Sequence, residues 1–485
     1  MIINNLKNKV TKLKVTKLKA AELIIIAILL VIFSVPAFAK PLVADTVIIK
    51  SNAKIGSLDL IRWTTDNGMQ VLFAKSRQLP IVDLRLVFDA GGARDMDPTN
   101  PEMQLPGLAK LTNGLIYEGS KGFSAQQIAE TFEGMGVQYG NGSYRDMAVL
   151  DFRSLSDKKI LFKALDSINK ILAQPLFEQN VLNRERNKML VALKLAEENP
   201  SRKAGLSFYK TLYSNKQSAK KQNHPYASPT NGTKESLNKI NRDALKNYYK
   251  KFYVASNAVL AVVGDLSLND VQKLAERLSK TLGKGVHAVD LPTVDTSIKG
   301  QTIKIKHPST QTTIVMGMPV LSRGDKDYYA LYLGNHILGG SGFSSRLVKE
   351  VRVKQGLTYS VSSYFAQMRA KGPFQISLTT KNESANKAIE LVNQVVSDFI
   401  KSGPTAEELK QAKLNISGSF PLRTKSNKNI VEHLAVIGFY NLPENYLDIF
   451  KDKIEKITLA DINDTFKRRV DLSKLSTIVV GDFVQ

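Results

Sequence analysis

The 485-residue sequence predicts an α+β fold of two tandem homologous halves, each a mostly antiparallel sheet packed with helices. Three observations carry this. The chain is too long for one hydrophobic core, which stops growing at roughly 250–300 residues. It matches itself without a gap at an offset of 217 residues, from Lys239-Ile240 to Lys456-Ile457. Strand-like and helix-like periodicities also alternate irregularly along it, with hairpin-length connections.

Taken from the N-terminus, residues 1–39 read as a secretory signal. Six lysines between Lys7 and Lys19 form a basic region, Leu23 to Val35 an apolar run of 13 residues, and Ala37-Phe38-Ala39 a small-residue cleavage site. A membrane-spanning helix needs about 20 apolar residues, so an uncleaved anchor is the secondary reading and no stable anchor is expected after cleavage. Trp63 to Phe73 and Ile81 to Phe88 read as strands flanking a turn at Pro80, and Gly107 to Tyr117 as a helix. Ser124 and Gln127 form a capping box for the next helix, closed by Gly134 or Gly136. Ala148, Leu150 and Phe152 alternate as a strand, and apolar residues from Ile160 to Leu172 line one helix face.

The repeated unit is an amphipathic helix, a short turn and a β-branched strand. The strand stops at Gly264-Asp265 in one copy and at Gly481-Asp482 in the other. Between the copies, Gly283 to Gly300 lacks helical period and contains Pro292 among Thr, Ser and Asp residues, which marks a linker. The division is therefore 1–39 signal, 40–283 first domain, 284–300 linker and 301–485 second domain. In the second copy, Thr312 to Met318, Thr358 to Gln367 and Pro373 to Thr380 read as strands. Tyr328 to Leu338, Ser344 to Val353, Glu383 to Ile400 and Ala406 to Ile416 read as helices.

The absence of cysteine removes disulfides, thiolate nucleophiles and thiolate metal sites. The whole chain carries a net charge of +24, and loss of the leader's six lysines and one glutamate leaves +19. That charge draws the protein toward acidic surfaces. Nucleic acid is not an expected partner, because the basic residues are spread along the chain without an aromatic-interleaved stripe. No phosphate loop, dinucleotide fingerprint or Gly-x-Ser-x-Gly elbow is present; Gly339-Gly340-Ser341-Gly342 satisfies none of them. The five histidines lie at least 20 residues apart, so no two share a helical metal-binding spacing, and His336 on an apolar helix face reads as a core residue.

Ala90-Gly91-Gly92-Ala93-Arg94, followed by Leu105-Pro106-Gly107-Leu108-Ala109, resembles the pitrilysin/insulinase family of zinc peptidases, the inverzincins. The resemblance runs from about Leu58 to Asp482 and implies the fold shared with mitochondrial processing peptidase. In active members a helix that begins like Gly107-Leu108-Ala109 carries His-x-x-Glu-His, and a later glutamate completes the metal site. On that pattern the two metal histidines become Lys110 and Gly114, and the general-base glutamate becomes Asn113. The segment Glu185 to Ala192 resembles the helix bearing the last ligand, whose position is Ala192. An ammonium repels Zn²⁺, and neither glycine nor alanine has a ligating atom, so no zinc is expected on this chain.

A second resemblance lies in the C-terminal half. The family uses an Arg and a Tyr seven residues apart to hold the peptide beside the scissile bond, and Arg352 and Tyr359 fit that pattern. The guanidinium and phenol would donate hydrogen bonds to peptide carbonyls and to the tetrahedral oxyanion. The plainer alternative is that Arg352 caps its helix and Tyr359 packs beneath it. Lost metal residues together with a retained Arg/Tyr pair imply the non-catalytic, substrate-binding subunit of a heterodimeric periplasmic zinc metalloendopeptidase. Zinc would then sit on a His-x-x-Glu-His partner, and an extended peptide would be the substrate. The rival expectation is a free-standing pseudopeptidase acting as a peptide-binding chaperone or scaffold.

Overall fold

A computed structural model describes residues 49–55, 58–96, 104–214 and 223–482, all within one compact unit, Val47–Gln485. The signal-like segment lies outside the described residues. Among those described, no helix is long and apolar enough to cross a membrane.

The strands are β1 (Ile49–Ile55), β2 (Leu58–Thr64), β3 (Gln70–Lys75), β4 (Ile81–Phe88), β5 (Gln138–Ser143), β6 (Ala148–Leu155) and β7 (Ala258–Gly264) in the first half. In the second they are β8 (Thr302–Lys306), β9 (Gln311–Leu321), β10 (Thr358–Phe365), β11 (Gly372–Lys381) and β12 (Ser476–Gly481). They form a seven-stranded sheet in the order β1-β2-β3-β7-β4-β6-β5 and a five-stranded sheet in the order β10-β11-β9-β12-β8. Read from its other edge, the smaller sheet repeats β3-β7-β4-β6-β5 strand for strand. In both, the repeated strand has a parallel neighbour on one side, β3 or β8, and an antiparallel neighbour on the other, β4 or β9. The 217-residue offset is thus a duplication of topology, and β7 and β12 are buried along their whole length because each sits inside its sheet.

Several sequence-level boundaries shift. The stretch Trp63 to Phe73 is two strands, since the chain reverses where Gly68 adopts φ 92° and the Thr65 amide donates to the Met69 carbonyl at 2.9 Å. The helix expected over 107–117 stops at Gly114. The helices expected over 328–338 and 344–353 are partly π-helical, at His336–Gly340 and Val348–Lys354. The capping box of Ser124 and Gln127 forms as expected.

The helices that position the site are α1 (Leu108–Gly114), α2 (Gln179–Glu197), α3 (Pro200–Tyr213), α4 (Arg242–Phe252), α5 (Asn427–Phe439) and α6 (Leu459–Arg469). Asn241 caps α4 and a capping box on Thr458 starts α6, so the duplicated helices begin alike. The two halves exchange a helix. α3 packs on β9 and β12 of the second sheet, burying Phe208 and Leu212 against Val315, Ile478 and Val480. α5 packs on β3, β4 and β7 of the first sheet, burying Val431 and Leu434 against Leu72, Val259 and Val263. Glycine permits the contact on both sides: a Cβ at Gly317 would lie 2.7 Å from Phe208, and one at Gly438 2.5 Å from Val259. Each sheet is therefore covered on one face by its own half and on the other by a helix from the other half.

Candidate functional site

The N-terminus of α1 is held by Asp95, whose carboxylate accepts the Gly107 amide at 2.8 Å and the Ala109 amide at 2.6 Å. Complete burial pushes the Asp95 carboxyl up to about 8, against the pull of those two amides. Beyond this anchor, Lys110 and Gly114 are exposed on one face of α1, four residues apart, where two histidines could have shared an ion. Lys110 Nζ donates to Asn231 Oδ1 at 2.6 Å, and burial followed by the charge of Arg202 lowers its pKa. A Cβ at Gly114 would meet nothing within 4 Å, so packing does not demand glycine there.

Asn113 is buried, and its backbone carbonyl accepts the Asn141 side-chain amide at 2.6 Å. Ala192 is exposed on α2 and lines the same cavity as Lys110, of about 470 Å³. The structure thus brings Lys110 and Ala192 to one cavity. Among the described residues, no three His, Cys, Asp or Glu side chains are placed to hold a metal ion. His336 is half-buried beside β10, not a core residue, and burial lowers its pKa.

Arg352 and Tyr359 lie on either side of a helix-to-strand reversal. Gly356 takes φ 60°, which favours glycine, and its amide donates to the Arg352 carbonyl at 3.0 Å. The Arg352 guanidinium lies 4.7 Å from the ring centre of Phe343, itself 70% exposed. On β10 the register slips between Thr358, opposite Thr380, and Ser360, opposite Thr379, so Tyr359 is the extra residue of a β-bulge. The Thr358 hydroxyl fills the bulge, donating to the Thr379 carbonyl at 2.6 Å and accepting the Ser360 amide at 3.0 Å. Tyr359 is 85% exposed and packs beneath nothing. No hydrogen bond joins it to Arg352 among the described residues.

Sequence reasoning missed Arg145, Arg202, Tyr209 and Tyr364, which line the cavity beside Lys110. They come from three separate segments, with Arg202 and Tyr209 both on α3, and share no motif.

Fold and site together define a duplicated α+β peptidase scaffold with no metal-holding cluster of side chains among the described residues. The chain belongs to the insulinase family, peptidase family M16: that family's description matches residues 70–226, and the peptidase M16 inactive domain matches residues 239–416. It is 29% identical to the non-peptidase homolog YmxG of Helicobacter pylori, over 85% of this chain and 91% of that relative. It is 26% identical to an uncharacterized zinc protease of Rickettsia bellii, over 85% and 95% of the two chains. Among solved structures, the peptidase M16 inactive domain from Pseudomonas fluorescens superposes with a TM-score of 0.82 at 37% identity, covering 88% of this chain and 98% of that one.

Proposed function

We propose that this chain is the substrate-gripping, non-catalytic subunit of an exported heterodimeric zinc endopeptidase, working in the periplasm on unfolded peptides. The observation that carries the reading is Tyr359, held outward by a bulge on an edge strand, while the positions the family resemblance gives to the metal ligands hold Lys110, Gly114 and Ala192. A His-x-x-Glu-His partner would supply the zinc and its activated water. Arg352 and Tyr359 would donate to the carbonyl oxygens of a peptide laid on that partner's site, and Tyr359 to the oxyanion that forms there.

β10 ends its sheet, which supports a peptide bound as an added strand beside Tyr359, through main-chain hydrogen bonds and hence with broad sequence tolerance; farther along, the Ser363 carbonyl is taken by the Asn335 side-chain amide at 2.9 Å. Reconstitution with a zinc-binding partner tests the reading. Arg352→Ala and Tyr359→Phe should lower peptide turnover while the two chains still co-elute, and unchanged turnover in both variants would remove the gripping role.

A further inference from the structure

The cavity at the lost metal position has acquired the opposite electrostatic character from a metal site. Its basic side chains are Lys110 on α1, Arg202 on α3, and Arg145 before β6; among the described residues no acidic side chain lines it. None of the three makes an ion pair among the described residues. Arg145 is anchored by donating to the Tyr226 carbonyl at 2.7 Å and the Ser228 carbonyl at 3.1 Å, with its guanidinium 4.0 Å from the ring centre of Tyr209. Asp146, its neighbour in sequence, is buried and engaged by Tyr226, Tyr440 and Arg369. Burial lowers the pKa of both Lys110 and Arg145, with the charge of Arg202 adding to the effect at Lys110. Met189, Leu193 and Leu206 give the cavity an apolar wall.

We propose that this cavity is a carboxylate-binding site for an extended peptide, with Lys110 and Arg202 pairing with the carboxylate and the apolar wall taking the neighbouring side chain. The carboxylate is either the peptide's C-terminus or an acidic side chain. Tyr364 of β10 lines the cavity, and Tyr359 lies five residues earlier on that strand, roughly 17 Å away at strand rise. The inference rests on the preceding reading only for the ligand being a peptide; it needs neither zinc nor a partner.

The test is calorimetric titration of the purified full chain with three N-acetylated nonapeptides of one Ala/Leu/Ser sequence. One ends in a free carboxylate, one in an amide, and one in an amide with a single central Glu. The neutral amide should bind about tenfold or more weakly than at least one charged peptide, and whichever charged peptide wins identifies the source of the carboxylate. Lys110→Gln with Arg202→Gln, both at exposed positions, should abolish that preference without changing the melting temperature. Equal binding of all three peptides, binding of none, or a preference that survives the double variant overturns the proposal. Because turnover by the reconstituted pair is a separate readout, the gripping role of Arg352 and Tyr359 stands or falls independently.

Discussion

The Tyr440 hydroxyl donates to Asp146 Oδ2 at 2.9 Å, joining residues 294 positions apart. The same buried carboxylate accepts the Tyr226 hydroxyl at 2.5 Å and the Arg369 amide at 2.7 Å. Beside it, Arg94 forms a two-point pair with Asp89, which Arg369 also approaches at 3.3 Å. One anion thus ties Tyr440, which follows α5, to both halves, next to where that helix crosses onto the first sheet.

Tyr440→Phe deletes one hydrogen bond to this anion and leaves the ring in place. The expected loss is about 1.5–3 kcal/mol of unfolding free energy. Urea unfolding followed by circular dichroism reads it, and an unchanged midpoint would show that Asp146 does not need the third donor.

Arg352→Ala and Tyr359→Phe are expected to lower turnover of the reconstituted pair by roughly a hundredfold or more, the usual effect of losing a transition-state donor. The phenylalanine change removes only a hydroxyl from an 85% exposed ring, so the chain's own stability should not move. Size-exclusion chromatography on the assayed samples separates lost chemistry from lost assembly. A scaffold would keep full activity in both variants wherever the complex remained.

The purified chain alone is expected to hold no stoichiometric zinc and to cleave no peptide, because Lys110, Asn113, Gly114 and Ala192 offer no ligand set. Elemental analysis with a chelator-sensitive protease assay checks both. One tightly held zinc per chain with chelator-sensitive cleavage would overturn the whole assignment.

His224 supplies a pH dependence. Its Nε2 donates to the Pro292 carbonyl at 2.9 Å and its Nδ1 accepts the Tyr226 amide at 3.1 Å, an arrangement that requires the neutral ring. Burial pushes its pKa down to about 4, below the ordinary value near 6.5. The folded state therefore binds the proton less readily than the unfolded one. The stabilisation is full above about 6.5 and is lost as pH falls toward 4. Urea midpoints at pH 7 and pH 4.5 should converge more in His224→Gln than in the parent chain; an identical acid sensitivity would exclude His224 as its source.

Much of the fold was legible because local signals decide local structure. The Ser124 capping box, the alternation through Ala148 to Phe152 and the repeated helix-turn-strand depend on residues a few positions apart. The hairpin at Gly68 was not separated from its flanking strands because Trp63 to Phe73 is apolar enough on both sides of the turn to read as one run. The π-helical turns at His336 and Val348 were equally invisible, since their apolar spacing is close to that of an α-helix.

By itself the sequence determined the duplication, the placement of Gly356 between Arg352 and Tyr359, and the lack of zinc ligands at positions 110, 114 and 192. Each follows from residue identity or near neighbours, and no packing can give alanine a ligating atom. Only the tertiary structure decided that α3 and α5 cross to each other's sheets, that a bulge turns Tyr359 outward, and that Lys110, Arg145 and Arg202 share one cavity. The apolar face of a helix specifies burial but not which sheet buries it. Strand register and the meeting of distant cations are settled by contacts whose partners lie tens to hundreds of residues away.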